Sequence, residues 1–179
     1  MLYTHKGDNG TTKTFGCDQR ISKSSAVAEA LGAMDETNSF LGLAKVKTAE
    51  AGNGAQASFI HSIQENLFII QAELAGADKH IDASKVLVLE AATDSIEKEL
   101  PPITTFFISG GTELAATFDV ARTIARRAER RVVQVHEEGS AKVGDQTLAY
   151  LNRLSSVLYA FARHANHQAG IKEDAPQYK

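Results

Sequence analysis

The stretch TELAATFDVARTIARRAERRVVQVHEE, residues 112–138, decides the fold that this sequence predicts. Thr112 follows two glycines and is a good N-cap, and Glu113 in the first turn suits the positive end of a helix dipole. The apolar residues then recur at helical spacing within one narrow arc. They are Leu114, Phe118, Ala121, Ala125, Ala128 and Val132. The stretch therefore predicts a long helix with one face in a core.

Four further segments have helical patterns and short connections between them, and they cover about residues 24–47, 55–74, 84–100 and 145–169. Residues 103–108 are expected to form an extended linker, because one short β-prone run has no partner strand. These elements predict an all-α, five-helix bundle of the ferritin-like or four-helix-bundle type. We expect one domain over residues 1–179, with an irregular N-terminal arm (1–23), the bundle (24–170) and a loose tail (171–179).

Composition narrows the class of protein. The net charge of −3 argues against a protein that coats nucleic acid. Cys17 is the only cysteine, so no intrachain disulfide can form. The first thirty residues lack the apolar stretch of a signal peptide, and no run approaches the roughly 18 apolar residues of a membrane span. We therefore expect a cytoplasmic protein that binds neither membrane nor nucleic acid.

The arm carries the first motif that suggests chemistry, YTHKGDNGTTK at residues 3–13. Glycines flank a polar pair, two hydroxyls follow, and lysines stand on both sides. Backbone amides, hydroxyls and ammonium groups could therefore converge on a polyphosphate. The glycines are only three apart and the Walker pattern is missing, so an ordinary surface turn stays open as the alternative.

The second motif is the arginine-rich run of the predicted fourth helix. At about 100° per residue, Arg122 and Arg126 lie beside the apolar stripe, so we expect them to be half buried and to need an anion. The alternative for the whole run, a solvated basic face with i,i+4 salt bridges, stays open and fits Arg127 and Arg131 best.

Two polar side chains on other helices complete the candidates. Asp35 shares one side of the first helix with Leu31, so we expect it in or near the core, where Arg122 is a natural partner. Asn152 lies beside Leu151 on the fifth helix and is either a satisfied core amide or a ligand contact.

Taken in order along the chain, these segments resemble the PduO-type ATP:corrinoid adenosyltransferases. The matching stretches are residues 3–12, Lys23, residues 32–39, 107–112 and 121–130, and residues 152–155. The resemblance implies a homotrimer of helical bundles with each site between neighbouring subunits. It also implies an enzyme that transfers the 5′-deoxyadenosyl group of ATP to the Co(I) of a corrinoid such as cobalamin, with release of inorganic triphosphate.

The resemblance further implies roles for individual residues. Asp35 and Arg122 would form an intersubunit ion pair at the corrinoid pocket, Phe106 would face the lower side of the corrin, and Arg126 completes the predicted catalytic set. ATP and Mg²⁺ would be held by Thr4, His5, Lys6, Gly7, Asp8, Gly10, Thr11, Thr12, Lys23, Arg126, Arg127, Glu129, Arg130 and Asn152. No direct metal ligand is assigned. The implied protein partners are a cob(II)alamin reductase and an adenosylcobalamin-dependent enzyme.

The main rival interpretation is a non-catalytic helical module whose arginine stripe binds an anion or joins subunits. It predicts that Asp35→Asn disturbs assembly while nucleotide leaves stability unchanged. An enzyme that hydrolyses ATP or transfers phosphate is a third interpretation, but it lacks a Walker pattern and a placed base.

Overall fold

Five helices dominate the computed structural model, which describes residues 3–14 and 19–178. The helices are α1 (Ala26–Glu50), α2 (Gly54–Leu74), α3 (Ala83–Glu97), α4 (Glu113–Glu137) and α5 (Asp145–Gln168). Each predicted helix is confirmed, and each end lies within one helical turn of its predicted position. The all-α class is therefore confirmed. No helix in the described ranges is long and apolar enough to cross a membrane.

The helix N-termini are capped in two different ways. Side chains of Ser25, Asn53, Asp82 and Thr112 each accept a hydrogen bond from a backbone N–H in the first turn of α1 to α4. The N-cap residue of α5 is Gly144, which has no side chain to offer. Its cap comes from α2 instead, as described below.

The core lies between the long helices. α4 packs against both α1 and α5, while α2 covers α1 and α3 covers α5. The stripe predicted for α4 is confirmed, because Phe118, Ala121, Ala125, Ala128 and Val132 are buried. Leu114 lies partly buried at the edge of the core.

The arm is more ordered than the sequence predicts. It contains two short antiparallel strands, β1 (Thr11–Lys13) and β2 (Arg20–Ser22), which pair Thr12 with Ile21. The Arg20 side chain locks the pair, since its Nε donates to Thr11 Oγ1 at 2.7 Å. Cys17 lies outside the described residues.

The linker is extended and free of regular structure, as predicted, but the start of the tail is not loose. The Ile108 N–H donates to the Asp174 carbonyl oxygen at 2.8 Å. The Glu173 carboxylate pairs with the guanidinium of Arg163, which is 3% exposed. A buried cation needs anionic partners, and this requirement fixes residues 173 and 174 against the bundle.

Candidate functional site

A groove of about 1010 Å³ opens between the linker, α4 and α5, with the end of α3 at its rim. The linker contributes Phe106 and Phe107, α4 contributes Arg122 and Arg126, and α5 contributes Tyr159. The structure thus brings together three of the four predicted catalytic residues. The volume suits a large ligand, and the aromatic rings and two cations suit one that is partly apolar and partly anionic.

Phe106 and its neighbour Phe107 face different surroundings. Both rings line the groove, but Phe106 is 78% exposed, whereas the Phe107 ring centroid lies 5.7 Å from the guanidinium carbon of Arg163. Phe106 is therefore accessible to a groove ligand, and the ring next to it is anchored on Arg163.

Arg122 is half buried, as predicted, with a quarter of its side chain exposed. Its Nε lies 3.8 Å from Asp119 Oδ1, and this buried nitrogen has no hydrogen-bond partner. The guanidinium also lies 5.9 Å from the Tyr159 ring centroid, and burial raises the pKa of that phenol. Arg126 was expected to be half buried too, but it is exposed, because the groove opens to solvent one turn further along α4.

Asp35 is exposed, so its predicted place in or near the core is wrong. α1 buries Met34 and Asn38, and Asp35 points about 100° away from Met34 around the helix. Arg122 lies beside Asp119 of its own chain instead. The structure therefore does not bring Asp35 and Arg122 together within one chain.

Further along α4, Glu129 lies beside an amide of α5. Asn152 Nδ2 donates to Glu129 Oε1 at 3.1 Å, and Asn152 is exposed, so it is not a core amide. Arg130 Nη1 donates to the Arg126 carbonyl oxygen at 3.1 Å. These side chains form a polar surface that continues from the groove along the bundle.

Arg127 and Arg131 have different partners on the surface of α4. Arg127 forms an ion pair with Glu36 of α1, and Arg131 Nη1 donates to Gln134 Oε1 at 3.2 Å. Both side chains are exposed, as a solvated basic face requires. Arg127 also makes a salt bridge there, which links α1 to α4 at the surface.

The described residues contain no group of three His, Cys, Asp or Glu side chains that could hold a metal ion. Mg²⁺ commonly binds through one or two carboxylates together with phosphate oxygens and water. Glu129, a partly buried carboxylate in the arginine-rich run, fits that mode of binding. It is suited to an ion that arrives with a polyphosphate.

The arm forms a small cradle of its own. The Gly10 N–H donates to the Gly7 carbonyl oxygen at 3.1 Å, and the Lys23 N–H donates to the Gly10 carbonyl oxygen at 2.9 Å. Lys23 Nζ lies so close to Gly7 that a Cβ there would come within 3.0 Å of it. The loop and Lys23 are therefore brought together, as a shared ligand would require. Among the described contacts, no hydrogen bond joins this cradle to Arg126.

The residues near the loop tip are mostly open to solvent. Thr4, His5, Lys6 and Asp8 are exposed, and His5 adopts a positive φ of 57°. Histidine adopts a positive φ more often than most residues do, and across this turn His5 Nδ1 lies 3.4 Å from Asp8 Oδ2.

Sequence reasoning missed a buried polar network in the wall of the groove. Asp119 Oδ2 accepts from Arg163 Nη2 at 3.0 Å and from the Gly110 N–H at 3.3 Å. Asn166 Oδ1 accepts from the Thr112 N–H at 2.9 Å, and Asn166 Nδ2 donates to the Gly110 carbonyl oxygen at 2.8 Å. One signal was available, because Asp119 directly follows a core position of α4 and Arg163 interrupts an apolar run of α5.

The fold and the groove define a helical-bundle protein that presents cations and an aromatic ring to a large ligand. A model of the cobalamin adenosyltransferase family matches residues 2–165. The corrinoid adenosyltransferase PduO of Citrobacter freundii is 38% identical over 94% of this chain, and the corrinoid adenosyltransferase of Bacillus subtilis is 37% identical over 95% of it. The aligned part is 50% of the Citrobacter protein and 89% of the Bacillus protein.

A solved structure shows the same likeness. A variant PduO-type ATP:corrinoid adenosyltransferase from Lactobacillus reuteri, complexed with cobalamin and ATP, superposes with a TM-score of 0.90 at 31% identity, over 99% of this chain and 97% of that one. The chain therefore belongs to the cobalamin adenosyltransferase family. It spans about half the length of the PduO proteins of Citrobacter freundii and Salmonella typhimurium.

Proposed function

We propose that this protein transfers the 5′-deoxyadenosyl group of ATP to the cobalt of a corrinoid. The observation that carries the proposal is the groove, which gathers Phe106, Arg122 and Arg126 from two separate segments of the chain. Its volume of about 1010 Å³ can take a ligand as large as a corrin ring. Family membership and the related Lactobacillus structure with cobalamin and ATP support the same ligands.

The reaction needs alignment and charge stabilisation more than acid–base chemistry. Co(I) supplies both electrons of the new cobalt–carbon bond, the ribose C5′–O bond breaks, and its electron pair leaves on triphosphate. Negative charge grows on the leaving group, so fixed cations near it lower the barrier. Arg126, Arg130 and the arm residues around Lys23 are suited to this task, and Mg²⁺ at Glu129 would supply further positive charge.

Phe106 has a different role in the proposal. An exposed aromatic ring beside the groove would pack under the corrin and exclude water from the lower face of the cobalt. Loss of that water would make Co(II) easier to reduce. Arg122 and Asp119 line the same groove.

We further propose a homotrimer with each site between subunits. Exposed apolar side chains support a subunit contact on α1 and α4, where Leu43, Val46 and Val120 are all exposed. Lys47 pairs with Glu113, so the end of α1 lies beside the start of α4. Exposed Asp35 would then pair with Arg122 of a neighbouring copy, and the arm would reach that copy's Arg126. The proposed partners are a cob(II)alamin reductase and an adenosylcobalamin-dependent enzyme, and the proposed location is the cytoplasm.

The test mixes the purified protein with ATP, Mg²⁺ and chemically reduced cob(I)alamin without oxygen, and follows the visible spectrum. Conversion to the adenosylcobalamin spectrum with an equal amount of triphosphate released is the expected result. If no conversion occurs while ATP still raises the melting temperature, a nucleotide site remains but the proposed reaction is wrong. Light scattering of the same sample tests the trimer.

A further inference from the structure

We propose that Asp119, Arg163 and Glu173 form a positioning network that holds Arg122 and the Phe106 linker in place at the groove. None of the three is a catalytic residue in this proposal, because they act through Arg122 and Phe106. The kinetic consequence rests on the proposed function, whereas the structural consequence does not.

The centre of the network is a guanidinium that is almost removed from solvent. Arg163 is 3% exposed, and its Nη2 donates to Asp119 Oδ2 at 3.0 Å while its Nη1 pairs with the Glu173 carboxylate. The Tyr159 ring centroid lies 5.1 Å from its guanidinium carbon. A buried cation is stable only with such partners, so α4, α5 and the tail must meet at this point.

The Asp119 carboxylate lies closer to one of its two arginine neighbours than to the other. Its distance to Arg163 is 3.0 Å and its distance to Arg122 is 3.8 Å. Because Arg163 already neutralises the buried Asp119 carboxylate, the Arg122 guanidinium can remain directed towards the groove. Without Arg163, the nearest cation to Asp119 would be Arg122, and the buried charge would draw it out of the groove.

The same network anchors the linker that carries Phe106. Asp119 Oδ2 also accepts from the Gly110 N–H at 3.3 Å, and Phe107 packs on Arg163. The tail adds a third anchor, because the Ile108 N–H donates to the carbonyl oxygen of Asp174, next to Glu173. One buried charge cluster therefore sets the position of a cation and of an aromatic ring in the groove.

The test uses a graded set of full-length variants. Arg163→Met removes the charge and keeps much of the bulk, Arg163→Lys keeps the charge without the two-pronged geometry, and Glu173→Gln changes one partner at the edge of the network. Glu99→Gln is the matched control, since Glu99 pairs with His164, the residue after Arg163, outside the network.

Two readouts separate positioning from mere stability. The first is steady-state kinetics below the melting temperature. Arg163→Met should lower kcat/KM for cob(I)alamin by about 10- to 100-fold, because small displacements of positioning groups have effects of that size. Arg163→Lys should recover part of the loss, and the KM for ATP should not change. The second is hydrogen exchange at the amides of Ile108 and Gly110, which should speed up in Arg163→Met and Glu173→Gln but not in Glu99→Gln.

Unchanged exchange at Ile108 and Gly110 in the folded variants would overturn the proposal. Faster exchange with unchanged corrinoid kinetics would also overturn it, because the network would then be structural only. If Arg163→Met does not fold, Glu173→Gln carries the same comparison. If the wild-type protein transfers no adenosyl group, the proposed function fails, and the exchange experiment still decides whether this network holds the linker.

Discussion

A buried carboxylate lies against each end of α5, and the two carboxylates serve different purposes. At its start, the buried Glu73 accepts from the Gly144 N–H at 2.9 Å and from Thr147. Near its end, the buried Asp119 accepts from the Gly110 N–H at 3.3 Å. In each case a buried carboxylate accepts from a glycine N–H, but Gly144 is the N-cap residue of α5, whereas Gly110 belongs to the linker before α4.

The partners of the two carboxylates make the difference. Glu73 pairs with His80 at 3.2 Å, and nothing around it lines the groove. Asp119 lies between Arg163 and the groove residue Arg122. The cationic neighbours of a buried carboxylate therefore decide whether it bears on the site. We expect changes at the first end to alter only stability and changes at the groove end to alter activity as well.

The largest expected effect is on activity at the groove end. Arg126→Ala removes an exposed cation whose side chain has no described partner, so the fold should be unaffected. The rate of adenosyl transfer should fall by about 100- to 1000-fold, because a fixed charge that stabilises the transition state is lost. Arg131→Ala, on the same helix but bonded to Gln134, is the control for an anaerobic spectral assay. Equal rates for Arg126→Ala and Arg131→Ala would show that the Arg126 charge does not contribute to adenosyl transfer.

Gly111→Ala should lower both stability and activity. A Cβ at Gly111 would come 2.4 Å from Asn166 Oδ1, and its φ is 98°. Gly139 is a matched control, with a φ of 65° and open space around it. Both alanines carry backbone strain, but Gly111→Ala should reduce the free energy of unfolding by about 1–3 kcal/mol more, because it also overpacks. Denaturant unfolding measures the difference, and equal losses would show that Asn166 simply moves aside.

Thr147→Val tests the other end of α5. The Thr147 hydroxyl donates to Glu73 Oε2 in a buried site, and valine keeps the shape but not the donor. We expect the free energy of unfolding to fall by about 1–3 kcal/mol, with kcat and KM unchanged. Thr123→Val is the control, since that hydroxyl is exposed and bonds to its own helix. A loss of activity in Thr147→Val would mean that the two ends are coupled.

The sequence could predict what depends on periodicity and local signals. The stripe of α4, its Thr112 cap and the turn at Gly110 and Gly111 needed only the local pattern, and the groove arginines followed from the position of that stripe. The same reasoning placed Asp35 wrongly. A helical wheel gives only the direction of a side chain, and Met34 already fills the place that faces the core.

The rest depended on contacts between distant parts of the chain. The hydrogen bond from the Ile108 N–H to the Asp174 carbonyl oxygen joins two segments without hydrophobic periodicity. No local sequence pattern therefore predicts that the tail packs on the linker. The cap of α5 is similar, because Glu73 lies 71 residues before the glycine it serves. When the hydrogen-bond partner of an element is distant in sequence, it can be identified only from the folded structure.

The smallest expected effect is a pH dependence at the start of α5. Hydrogen bonds to Glu73 and then to Asp78 raise the pKa of His80 above its ordinary value of 6.5. A raised pKa in the folded state means that protonation of His80 stabilises the fold. This contribution is full below about pH 6.5 and is lost as the pH rises through the raised pKa. The melting temperature of wild type should therefore exceed that of His80→Gln most at about pH 6, and the gap should narrow towards about pH 9. A gap for His80→Gln that stays constant over this range would show that the imidazole acts there by packing and not by charge.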